Sequence, residues 1–259
     1  MLMAEARRTN QTQIVPDLSP PTLDVAPPPM FSLPLDVLRD VTALRRYGGL
    51  LKSAALGFRA HSGWTALVAL CVSKGAPCVL ARQRIHLVET FTYRFRQPYH
   101  TAKNMPLDEA RAFVAGVQTQ ARSLAYRAVR ELQESLQTQG YLLRRSGLVL
   151  ASGRPLPNLP DILASHALIH TADGELFREA LLHACARCDL PSKTAKEREL
   201  RDEAPEMLRL RRNDLTRRMA ELGRSLGPPW SQDEKLATLV AWLALASKPS
   251  SLRRERSPA

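Results

Sequence analysis

The sequence predicts an α/β domain in which three consecutive strands are followed by alternating helices and strands. Three observations predict it. Residues 53–88 hold short apolar runs separated by glycine and proline turns, as in a meander. After Pro106 the apolar spacing lengthens from two residues to three or four, the mark of a helix. From Tyr141 onward, an unbroken apolar run and amphipathic stretches alternate.

Residues 1–34 carry seven prolines and no sustained apolar period, so they are expected to form a disordered, proline-rich lead. Residues 35–52 read as a short amphipathic helix that stops at Gly48-Gly49. The domain proper is placed at 53–247. SAALGFRA (53–60) and WTALVALCV (64–72) read as two strands around a tight turn at His61-Ser62-Gly63. A third strand runs from Cys78 to about Val88, with an extension to Phe95 left open.

Residues 107–139 form the long helix, closed by Gly140 and roughly 45–50 Å in length. YLLRRSGLVLASG (141–153) suits a buried strand. Helical segments follow between 161 and 190, then a weak strand at 192–200 and an arginine-rich helix at 203–226. The last helix, 231–246, starts with a capping box, Ser231 as N-cap and Glu234 three residues on. Residues 248–259 read as a basic, flexible tail.

The composition narrows the function classes. Aliphatic side chains must fill the core, because only 5% of the residues are aromatic. No apolar run reaches the roughly 18–20 residues of a membrane span, and the start MLMAEARRTNQTQ lacks the apolar core of a secretory signal. Four cysteines are too few for a disulfide scaffold at this length, so a cytoplasmic protein with reduced thiols is expected. The net charge of +12 favours polyanionic partners, although a compositional bias towards arginine gives the same excess. Phosphate loops of the GxxxxGK[ST] type, GxGxxG fingerprints and GxSxG elbows are all missing.

Two local patterns point to a family. Leu56-Gly57-Phe58-Arg59 followed by Ser62-Gly63-Trp64 resembles the first hairpin of the Holliday-junction resolvase branch of the ribonuclease H-like superfamily. Asp233, opening a helix that contains Ala237 and Ala241, is similar to the last helix of that branch. The resemblance covers roughly 53–246 and implies a three-layer fold around a mixed five-stranded sheet. It also implies carboxylates that hold two divalent metals for phosphodiester cleavage. Here the sequence departs: Arg59 stands where the first strand would supply an aspartate, and Ser146–Gly153 holds no acid. Asp233, with Glu234 beside it, is the acid that matches. The expectation is a divergent member without the usual two-metal cleavage.

In such a fold, ligands bind beyond the carboxyl ends of the central strands. Three segments are expected to converge there: Arg59–Trp64, 154–175 and 228–235. Within them, His61, His166, His170, Glu175 and Asp233 are the candidate catalytic set. His166 and His170 lie four apart on one helical face, a spacing that suits one metal ion or, beside a carboxylate, a general base. Asp173 or Glu175 is a candidate third ligand, with His61 across the cleft. The same segment also reads structurally, with Thr171 or Asp173 as an N-cap and Glu175 complementing the helix dipole. No cofactor is implied, and a divalent metal is left open.

Arg59, Ser62 and Lys235, with His61, are candidate anion ligands. Alternatively Arg59 pairs with Asp233 or Glu175 in place of a lost metal. Arg211 and Arg218, among the arginines of 203–226, are candidate nucleic-acid contacts, though intervening Glu206, Asp214 and Glu221 also fit a solvated face. Cys185-Ala-Arg-Cys188 has CxxC spacing but closes a helix, where the dipole does not activate a thiol. The leading expectation is a domain that binds nucleic acid or another phosphate-bearing ligand. A hydrolase with a rebuilt histidine and carboxylate site, and a scaffold that docks a protein partner through 1–34, are the alternatives. No membrane association is expected.

Overall fold

A computed structural model describes residues 51–151 and 155–247. The expected lead, the short helix at 35–52 save for its last two residues, and the tail from 248 lie outside the described residues. Three strands open the domain: β1 (Lys52–His61), β2 (Trp64–Ser73) and β3 (Ala76–His86). Two short helices follow, α1 (Tyr93–Arg96) and α2 (Pro98–Ala102), then the long α3 (Leu107–Thr138). Next come β4 (Tyr141–Leu150), α4 (Leu159–Ala164), α5 (His166–Arg187) and β5 (Ser192–Lys196). The chain then forms α6 (Glu197–Met207), α7 (Arg212–Leu226) and α8 (Gln232–Ala246).

The sheet order is β3-β2-β1-β4-β5. β1, β2 and β3 pair antiparallel, while β4 runs parallel to both β1 and β5. This is the mixed five-stranded sheet that the ribonuclease H-like resemblance implies. Helices cover both faces. Leu56, Phe58 and Ala60 of β1 share one core with α3 and α5. On the other face, Leu70 and Val149 share a second core with α6, α7 and α8.

α3 buries Ala110, Val114, Val117, Ala121, Ala125, Val129, Leu132 and Leu136 along one stripe, and Gly140 takes the positive φ of 84° that ends it. Among the described residues the exposed large hydrophobic side chains are Val72, Tyr93 and Leu107, so the outer face of α3 presents no apolar stripe to a partner.

A pair of glycines places α8. Gly57 of β1 and Gly147 of β4 are register partners on adjacent parallel strands. A Cβ on Gly57 would lie 1.9 Å from the Ala237 carbonyl oxygen, and one on Gly147 would lie 2.5 Å from that of Val240. The two bare positions let the α8 backbone settle on the sheet. Asp233 sits one helical turn before Ala237, which carries it towards the carboxyl end of β1.

Three expectations need correction. The third strand ends at His86, close to the expected Val88, but the open extension to Phe95 is not strand: the region up to Ala102 folds as two short helices, the second with Pro98 at its first position. Residues 166–187 form one unbroken helix capped by the Ser165 side chain, so Thr171 and Asp173 are helix-interior residues, not caps. The arginine-rich segment is two helices, α6 and α7, separated where Arg209 adopts a positive φ of 53°.

Candidate functional site

Alternation along β1 sends Arg59 and His61 to the face that carries α8. Cross-strand pairing continues this face outward. His61 is opposite Trp64, Trp64 is opposite His86, and Ala66 stands between Arg59 and Arg84. One end of the sheet therefore gathers arginine, histidine and tryptophan from three strands.

Both acids of this cleft already have a basic side chain beside them. His61 Nε2 lies 2.9 Å from Asp233 Oδ1, with both side chains about a third exposed or less. The ring nitrogen meets no hydrogen-bond geometry, so the contact is one of proximity, not a directed bond. Arg59 does not pair with Asp233 or Glu175. Its Nη2 is 3.5 Å from Glu197 Oε2 at the start of α6, and its Nη1 donates to the Ala60 carbonyl at 3.2 Å. Arg59 Nε is buried without a partner. Glu197 also accepts from Arg201 at 2.8 Å, which leaves that carboxylate between two guanidinium groups.

A second layer wraps the end of the β1–β2 hairpin. His61 stacks on Trp64 with ring centroids 4.3 Å apart and planes 12° from parallel. The Arg84 guanidinium lies 3.8 Å from the Trp64 centroid and 5.5 Å from that of Phe91. Arg96 covers Phe91 at 4.5 Å and donates from Nε to the Ser62 carbonyl at 3.3 Å. His86 stacks on Phe91 at 4.5 Å. Each cation–aromatic contact of this kind is worth about 0.5–1 kcal/mol at an exposed site. Arg84 and Arg96 form no ion pair among the described residues.

The candidate catalytic set does not assemble as one site. His61 and Asp233 meet on the α8 face. His166 and His170 belong to α5, whose buried residues join the core on the opposite face. Glu175 joins neither group, because Arg178 holds it at 2.9 Å. The sheet between the two faces is the physical reason. His166 and His170 meet instead His100 of α2, a residue with no motif to mark it in the sequence. His100 Nδ1 lies 2.5 Å from Asp173 Oδ2, and Asp173 accepts the Tyr99 N–H at 2.8 Å. Burial pushes the Asp173 carboxyl above its ordinary range, against the downward pull of those two hydrogen bonds.

The remaining candidates are scattered. Lys235 lines a cavity of about 730 Å³ between α7 and α8, together with Arg201, Arg212, Arg224 and Trp230. Arg211 is held by Asp214 at 2.9 Å, and Arg218 donates to the Gly75 carbonyl of the β2–β3 turn at 2.6 Å. Arg217 is likewise tied to Asp214. These exposed pairs carry little energetic weight, and the helix face they lie on is solvated and only partly neutralised. Cys185 and Cys188 close α5 and are buried, and neither belongs to a metal-sized group of ligands among the described residues.

No family model matches this chain, and no curated protein matches it. Among solved structures it is similar to Thermus thermophilus RuvC in complex with a Holliday junction substrate. That match has 7% identity and a TM-score of 0.44, and it covers 74% of this chain and 91% of that one. A further structure of Thermus thermophilus RuvC matches at 8% identity and a TM-score of 0.41, covering 73% and 92% respectively.

Proposed function

We propose that this ribonuclease H-like domain binds nucleic acid, engaging unpaired nucleotides at the carboxyl end of its central strands without metal-dependent cleavage. The observation that carries the reading is the Arg84–Trp64–His61 stack, which ends against Asp233 beside Arg59. Aromatic faces accept any base, and the arginines interleaved with them supply the charge that follows a phosphate backbone. Arg59 takes the place of an acid that a two-metal site would need, and a cation there repels a divalent ion. The net charge of +12 supplies the long-range attraction.

The test is fluorescence anisotropy of the full chain with labelled single-stranded and duplex oligonucleotides over a series of salt concentrations. The expected result is binding that favours the single strand and weakens with salt, with a slope of about −0.7 per phosphate contacted. The oligonucleotide stays intact with or without Mg²⁺. Absence of binding at low salt, or Mg²⁺-dependent cleavage abolished by Asp233→Asn, overturns the proposal.

A further inference from the structure

We propose that His100, His166 and His170 form a binding site for one transition-metal ion of the imidazole-preferring kind, with Zn²⁺ as the reference. This inference is independent of the nucleic-acid reading, since the three histidines lie on the other side of the sheet from the Arg59 cleft.

The geometry comes from two helices. His166 and His170 are one turn apart on α5, with their Nε2 atoms 3.0 Å from each other. His100 reaches them from α2, and one ring nitrogen from each of the three residues falls within 4.8 Å of the others. Two imidazole nitrogens bound tetrahedrally at about 2.0–2.1 Å from zinc stand roughly 3.3 Å apart. The His166–His170 pair is already near that separation, and a His100 nitrogen lies within 4.8 Å of both. The three rings meet edge to face, at interplanar angles of 90°, 65° and 80°. Such mutual tilts let nitrogens converge on a point, as parallel stacking would not.

The second observation is the support behind His100. Its Nδ1 is held by Asp173, whose side chain is 3% exposed and fixed in turn by the Tyr99 N–H. A carboxylate on one ring nitrogen sets the tautomer and leaves the other nitrogen as the ligand, the arrangement found behind metal-bound histidines. Asp173 is a buried acid in the middle of α5 that caps the first turn of α2 through the Tyr99 N–H, where Gln97 supplies no side-chain cap. Its second oxygen is left to orient His100.

The donor set selects the ion. Three neutral imidazoles with no thiolate favour Zn²⁺, Ni²⁺ or Cu²⁺ and offer little to Mg²⁺ or Ca²⁺, which take oxygen. His166 and His170 are exposed, so a fourth position faces solvent and is available to water or an anion.

The experiment is isothermal titration of the full, chelator-stripped chain with ZnCl₂, and separately with MgCl₂. The expected result is one Zn²⁺ per chain and no Mg²⁺ binding. His166→Gln and His170→Gln, both at exposed positions, should each weaken Zn²⁺ by more than the about 10- to 100-fold that losing an outer support costs. Asp173→Asn should weaken it within that range, provided circular dichroism shows the fold intact. His183→Gln, elsewhere on α5, should leave it unchanged. A Co²⁺-loaded sample should show the visible absorption of a tetrahedral site in the parent chain and lose it in His170→Gln. Absence of Zn²⁺ binding overturns the proposal. So does binding that survives both His166→Gln and His170→Gln.

Discussion

His61 and Asp233 face each other across the end of β1 and the first turn of α8, with Nε2 2.9 Å from Oδ1. Next to them Arg59 reaches Glu197, so each acid of the cleft has a basic side chain beside it. Reversing the charge of Arg59 should expose what this arrangement replaces. The Arg59→Asp variant would set three carboxylates near one another, at a cost of about 1–3 kcal/mol. Thermal melts in metal-free buffer should show a drop of roughly 2–12 °C. Mg²⁺ or Mn²⁺ should restore part of that loss in the variant and do nothing for the parent chain. An equal metal response in both would mean that Arg59 does not stand in for a bound cation.

The stack on Trp64 makes a separate prediction. Of the three tryptophans Trp242 is buried, while Trp64 and Trp230 are both half-buried, so oligonucleotide binding at the stack should quench Trp64 and leave the Trp230 emission, away from the stack, in place. Trp64→Phe should remove most of the quench while keeping a ring to stack on. Trp64→Ala and Arg84→Ala should each weaken single-strand binding by about 1–3 kcal/mol. Quenching that persists undiminished in Trp64→Phe would place the ligand elsewhere.

Much of this fold is legible in the sequence because it is local. The apolar runs of 53–72, the change of period after Pro106 and the Ser231–Glu234 box each lie within one element, and each element forms as expected. The cleft is less so. Arg59 meets an acid 138 residues further on, a pairing set by the parallel placement of β4 and β5. The His100 cluster was hidden for the same reason: Asp173 lies 73 residues away, and the short helix carrying His100 has no amphipathic period. The residues Arg84 and His86 alternate on β3 as any solvent-facing strand does, and only the register opposite Trp64 makes them part of an array.

The glycine pair beneath α8 should be among the least tolerant positions of the domain. Gly57→Ala would drive a methyl into the Ala237 carbonyl, and Gly147→Ala into that of Val240. Neither neighbour is a side chain that can rotate away, so the cost should reach or pass the upper end of about 1–3 kcal/mol for overpacking. Gly116 of α3 is the control. A Cβ there meets nothing within 4 Å, so Gly116→Ala should raise stability by about 0.4–1 kcal/mol. Denaturant melts of the three variants test both signs. A neutral Gly57→Ala would contradict the close seating of α8.

The CxxC pair should be chemically quiet. Burial pushes the Cys185 thiol up to about 11 and raises Cys188 as well. The thiolate is the reacting species, so at pH 8 roughly one Cys185 in a thousand is reactive, before access is considered. Cys71 is also buried and raised, whereas Cys78 is exposed at the start of β3. Alkylation of the native chain, followed by peptide mass spectrometry, should therefore mark Cys78 first and leave Cys185 and Cys188 unmodified until denaturant is added. Mild oxidant should form no Cys185–Cys188 disulfide, because both residues are packed at the end of α5 against the core of β1, β4 and α3. Rapid labelling of Cys185 in the folded chain would show that α5 opens at its carboxyl end and would contradict the burial of this thiol.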